Sequence, residues 1–115
     1  MKNYHGNCHC GSVTFSFESE EIDKGIKCNC SICKRKAALM SPFTIADSAL
    51  KRQGETLAFY QFGSNVAKHY FCSNCGIYVF HETMRQPGYF RVNLGCVDEV
   101  NTFELPFDVF DGASL

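Results

Sequence analysis

The chain has no tryptophan, a formal net charge of only −1 at pH 7, and no uninterrupted apolar stretch near the ~18 residues a membrane span needs. Each absence narrows the reading. A near-zero charge offers no global field to hold a phosphate backbone or anionic lipid, so neither nucleic acid nor membrane is an expected partner. The opening residues, Met1-Lys2-Asn3-Tyr4-His5-Gly6, lack the apolar core of a secretory signal, which predicts a cytoplasmic protein. No internal repeat, linker, low-complexity segment or long helical period interrupts the sequence. Missing tryptophan does not leave apolar surface short, because 11 Phe and 5 Tyr are spread along 115 residues. That excludes disorder and predicts one folded domain over residues 1–115.

What is abundant is cysteine, with eight in the chain. In a reducing compartment disulfides are not expected, and the spacing says the same. Cys8-His9-Cys10, Cys28-Asn29-Cys30-Ser31-Ile32-Cys33 and Cys72-Ser73-Asn74-Cys75 are tight chelating turns, whereas disulfide partners usually lie far apart in sequence.

The surrounding pattern is that of short strands. Residues 11–18 alternate with period two, placing Val13, Phe15 and Phe17 on one face and Ser12, Thr14, Ser16 and Glu18 on the other. Residues 19–24 read as an exposed connection closed by Gly25. Pro42 and the β-branched residues after it favour a strand over 40–45, with a turn at Asp47-Ser48. Further strands are expected at 50–53, 56–62, 67–71, 77–81, 89–94 and 105–110. Gly54-Glu55, Gly63-Ser64-Asn65 and a loop containing Pro87-Gly88 separate them. The expected fold class is mainly β, a small zinc-stapled curled-sheet or β-sandwich-like single domain.

Cys8, Cys10, Cys72 and Cys75 make a complete tetrahedral set, as a structural zinc requires. Sharing one ion would close a loop of ~60 residues, a large entropic gain for a small fold. The C-x-x-C-G knuckle is the stronger half; His9 is an alternative ligand to one of the first pair. Cys28, Cys30 and Cys33 are one ligand short. A catalytic zinc keeps one position open, so three thiolates without a fourth suggest chemistry on a small-molecule thiol, whose softness matches the site. The competing readings are an iron–sulfur cluster and a fourth protein ligand from Cys96, His69, His81 or His5. The basic run Lys34-Arg35-Lys36 is either a solvated loop or a set of cations that offset the thiolate charge and attract an acidic ligand. Cys96, left alone, is a packing residue or a redox nucleophile, the latter implying a methionine-sulfoxide-type reductase.

Three stretches together resemble the glutathione-dependent formaldehyde-activating enzyme family, which also includes centromere protein V. They are Gly6-Asn7-Cys8-His9-Cys10-Gly11-Ser12-Val13-Thr14-Phe15, then Cys28-Asn29-Cys30-Ser31-Ile32-Cys33-Lys34-Arg35, then Phe71-Cys72-Ser73-Asn74-Cys75-Gly76. The resemblance implies two zinc ions per chain: a structural one on Cys8, Cys10, Cys72 and Cys75, and a catalytic one on Cys28, Cys30 and Cys33. It implies a carbon–sulfur lyase that joins glutathione and formaldehyde into S-hydroxymethylglutathione. The chain departs from the family pattern at His69, where an arginine is expected, and at Ala38, where a glycine commonly follows the three cysteines. These departures bear on the substrate more than on the metal. The alternative class is a non-catalytic zinc-binding module that mediates protein interaction; a pocket converging on the three-cysteine turn separates the first reading from the second.

Overall fold

Strand β2 (Thr14–Ser19) carries the predicted alternation: Phe15 and Phe17 are buried, Val13 is buried just before it, and Ser19 continues the inward row. It begins later than expected because Gly11 takes φ +82° and its N–H donates to the Cys8 carbonyl, bending residues 11–13 away from extended pairing. β2 pairs antiparallel with β1 (Lys2–Asn7), and Tyr4 stacks on Phe17 with ring centroids 5.4 Å apart. The computed structural model describes residues 1–63 and 67–115. Of the turn expected at Gly63-Ser64-Asn65, Ser64 and Asn65 lie outside the described residues.

β3 (Gly25–Cys28) delivers the chain to the three-cysteine turn, which runs into helix α1 (Ser31–Lys36). The basic run is therefore helical and not a loop. Its last turn holds Lys34, Arg35 and Lys36 near the carbonyl end, where positive charge is favoured. Ala37 then terminates the helix in the left-handed region, at φ 54°. Residues 19–24 are not wholly exposed either: Ile22 is buried and its N–H donates to the Tyr4 hydroxyl.

The strand expected over 40–45 is also revised. Met40 bridges Ile26 on one side and Asn93 on the other, and Ser41 pairs with Val92. Pro42, which has no N–H to give, then breaks the ladder, so only Ile45–Ala46 form β4. A short 3-10 turn over Asp47–Ala49 occupies the expected turn. β5 (Lys51–Gln53), β6 (Leu57–Tyr60), β7 (Lys68–Cys72), β8 (Tyr78–Glu82) and β9 (Tyr89–Val92) fall where strands were expected, some of them shorter. β10 (Phe107–Phe110) returns to lie parallel to β3.

The result is mainly β. A three-stranded antiparallel sheet, β1-β2-β5, faces a five-stranded antiparallel sheet, β4-β9-β8-β7-β6, with the β10-β3 pair beside them. Aromatic rings fill the space between: Phe15 meets Phe80 edge-on at 5.6 Å, and Phe80 meets Phe90 edge-on at 5.8 Å. Burying each such ring contributes about 1.5–3 kcal/mol. This core fixes the ends of β2, β3 and β7, the strands from which the cysteine turns project.

Candidate metal centre

The structure sorts seven of the cysteine sulfurs into two groups, each with its sulfurs within 4.8 Å of one another. Cys8, Cys10, Cys72 and Cys75 make the first. Cys8 and Cys72 are fully buried, while Cys10 is exposed. The Cys10 sulfur lies 3.6 Å from that of Cys8 and 3.7 Å from that of Cys72. A tetrahedron of zinc–sulfur bonds of ~2.3 Å separates its sulfurs by about 3.8 Å, so the spacing fits such an ion. Backbone amides support anionic sulfur here: Val13 N–H points at Cys8 Sγ at 3.3 Å and Cys75 N–H at Cys72 Sγ at 3.5 Å. The Ser12 side chain, and then Asn74, lower the Cys10 thiol to about 5. Gly76, at φ +80°, closes the knuckle by donating to the Cys72 carbonyl. His9 is exposed and outside this group.

Cys28, Cys30 and Cys33 make the second group. β3 ends on Cys28, whose sulfur accepts from the Cys30 N–H at 3.5 Å, and Cys33 stands in the first turn of α1. Burial pushes the Cys33 thiol up to about 12. At Cys30 burial acts in the same raising direction but is outweighed by hydrogen bonds, the Cys33 backbone first, and its thiol lies below the ordinary value. Three sulfurs so close have the donor chemistry of a soft-metal site.

No fourth His, Cys, Asp or Glu ligand atom joins these three among the described residues. None of the residues considered as a fourth ligand joins the group. His5 Nδ1 sits 2.7 Å from Glu99 Oε2, His69 Nδ1 sits 2.7 Å from Lys36 Nζ, and His81 Nδ1 pairs with the Tyr78 hydroxyl. The Cys96 thiol donates to the Tyr78 carbonyl at 3.6 Å, and burial, then the nearby Cys8 and Cys75, raises it to about 11. Cys96 is thus a neutral thiol beside the four-cysteine group, which argues against a redox nucleophile.

All three sulfurs of the open group line a cavity of about 560 Å³. Ile32, Met40, Phe62 and Phe110 give it apolar walls. Gly112 forms part of the rim because nothing larger fits: a Cβ there would stand 2.5 Å from Cys28 Sγ and 3.3 Å from Cys30 Cβ. Asn29 holds this segment in place. Its amide donates to Asp111 Oδ1 at 2.9 Å, and its carbonyl accepts from Ala113 N–H at 2.9 Å.

Of the basic run, Lys34 and Arg35 are exposed and Lys36 alone turns inward, its ammonium 3.8 Å from the centroid of the Tyr78 ring. Burial lowers Lys36 to about 8, opposed by the neighbouring cysteines. Two contributors to the cavity, Arg91 and the segment 110–112, escaped sequence reasoning. Both reach the cavity through strand register and not through spacing.

The sequence profile of glutathione-dependent formaldehyde-activating enzymes matches residues 3–112. A crystal structure of a Rhodobacter sphaeroides protein is similar, with 36% sequence identity, a TM-score of 0.79, and coverage of 90% of this chain and 99% of that one. With both cysteine groups, the match over nearly the whole chain leads to one statement: the chain belongs to the glutathione-dependent formaldehyde-activating enzyme family.

Proposed function

We propose that this protein is a zinc-dependent carbon–sulfur lyase of the S-(hydroxymethyl)glutathione synthase type, formed as one domain over residues 1–115. Cys8, Cys10, Cys72 and Cys75 hold a structural zinc, and Cys28, Cys30 and Cys33 hold a catalytic one. The observation that carries this reading is the incomplete three-sulfur group opening into a cavity of about 560 Å³.

Zinc bound there would supply an open, sulfur-preferring position that favours the thiolate form of an incoming thiol such as glutathione. The remaining work falls to the chain. Apolar walls from Ile32, Met40 and Phe110 thin the water around the reacting atoms, and Lys36 offsets the thiolate charge. In the addition, the thiolate sulfur bonds to the formaldehyde carbon and the carbonyl π pair moves to oxygen. The oxygen then takes a proton, giving S-hydroxymethylglutathione; the reverse cleaves the same bond. A non-catalytic interaction module would have no use for a cavity converging on the three cysteines.

The test is exchange NMR of 13C-formaldehyde with glutathione in the presence of zinc-loaded protein. Exchange faster than in protein-free buffer, and lost in Cys30→Ser, is expected. A rate equal to the protein-free rate overturns the reading.

A further inference from the structure

The five-stranded sheet places a row of basic residues along the cavity. His69 on β7 is the Cα partner of His81 on β8, and His81 is the partner of Arg91 on β9. All three line the cavity that holds Cys28, Cys30 and Cys33. Lys36 joins the row from α1 through its 2.7 Å contact with His69 Nδ1. Among the described residues the cavity lining includes no Asp or Glu, and no carboxylate pairs with Lys36, Arg85 or Arg91. Arg91 gives one N–H to the Ser41 carbonyl at 2.8 Å, and the other guanidinium donors have no protein partner among the described residues.

Lys36 faces the three cysteines and Arg85 is exposed, but Arg91 is half-buried and pairs with no carboxylate, which is costly unless something else supplies the negative charge. The second sign is at His69, which is 7% exposed. Its Nδ1 accepts from Lys36, so the proton of the neutral ring resides on Nε2, and that atom is buried with no hydrogen-bond partner among the described residues. Burial first, and Lys36 second, hold His69 near 4, so the ring is a neutral donor at physiological pH. An orphaned buried donor is rare in a finished interior and is expected where a ligand completes the bonding.

We infer that Lys36, His69, His81 and Arg91 form an oxyanion-binding floor, and that the ligand is a thiol carrying a carboxylate which reaches Arg91 and the His69 Nε2–H while its sulfur lies at the three-cysteine turn. The sulfur half of this statement rests on the proposed thiol chemistry; the carboxylate half does not. A planar carboxylate suits the row because a guanidinium and an imidazole N–H can each take one of its oxygens.

The experiment compares 3-mercaptopropionate with 3-mercapto-1-propanol, by calorimetry on the zinc-loaded full chain, and titrates propionate while following the His69 side-chain 15N resonances. The acid thiol is expected to bind roughly 10- to 100-fold tighter than the alcohol, the range of a charge-assisted hydrogen bond. Arg91→Met should bring the ratio to about one. Arg91→Lys, which keeps the charge, should retain part of the preference and covers the case in which the methionine variant fails to fold. Equal binding of the two thiols by the unaltered protein overturns the carboxylate floor and leaves the thiol reading standing. If neither thiol binds, the thiol reading falls and propionate decides the rest. A His69 shift in the unaltered protein that is reduced in Arg91→Lys and absent in Arg91→Met supports the floor, and no shift overturns it too.

Discussion

Lys36 Nζ lies 2.7 Å from His69 Nδ1, tying the helix that follows the three-cysteine turn to the middle of the five-stranded sheet. Their mutual effect is readable by titration. His69 is held near 4, by burial first and by the Lys36 charge second, against an ordinary 6.5. In Lys36→Met the first cause remains and the second goes, so the His69 value should rise part of the way toward 6.5, as measured by ring NMR on metal-saturated protein. The sign for stability follows. The folded-state value lies below the unfolded one, so the unfolded chain takes the proton first as pH falls. The His69 contribution is present above about 6.5 and fades toward about 4. Lys36→Met should narrow that window in urea unfolding at stepped pH.

The two cysteine groups should respond differently to loss of one sulfur. Cys72 is fully buried and meets Cys10 from 62 residues away. Cys72→Ser should lower stability by about 3–5 kcal/mol through the opened loop and the lost ion. Cys30→Ser should cost far less and remove one zinc of two. Metal analysis with chemical denaturation checks both, and equal unfolding by the two variants would mean that both groups are structural.

Gly112 should be intolerant of even a methyl group. A Cβ 2.5 Å from Cys28 Sγ forces either the cysteine turn or the segment 110–112 to move. Gly112→Ala should weaken zinc at the three-cysteine group by about 10-fold or more, in the range found when groups around metal ligands are disturbed. Competition with a chromophoric chelator measures this, and occupancy of the four-cysteine group should stay unchanged.

Ala37 ends α1 at φ 54°, a conformation that costs an L side chain energy and glycine none. After the extra flexibility of the unfolded glycine chain is subtracted, Ala37→Gly should stabilise the protein by about 0.5–1 kcal/mol. Thermal unfolding with saturating zinc is the measurement.

Strands β2 and β5 to β9 were legible because their alternation or their Gly-bearing turns are local signals. β1 was not, since Lys2, Asn3, His5 and Asn7 are polar and Tyr4 is its one large inward side chain. α1 escaped because six residues are too few to show a helical period. The parallel pairing of β10 with β3 joins residues more than 80 apart, and no local pattern announces it. The seven clustered cysteines were readable from spacing, as chelating turns are local. The residues around the cavity were only half readable: Lys36 was one of three cations in a row, and only helix geometry shows which of them turns inward. Arg91 enters the cavity through its register with His81, a fact of pairing that the sequence of β9 does not carry.

The clasp formed by Cys8, Cys10, Cys72 and Cys75 divides the molecule unevenly under mechanical load. With an ion in place, tension applied at the two termini would pass across those sulfurs and spare everything strung between them, the three-cysteine turn included. Arg91 and the segment 110–112 lie outside the spared region. Pulling would therefore peel back one side of the chamber while its sulfur trio stayed folded, baring that turn before undoing it.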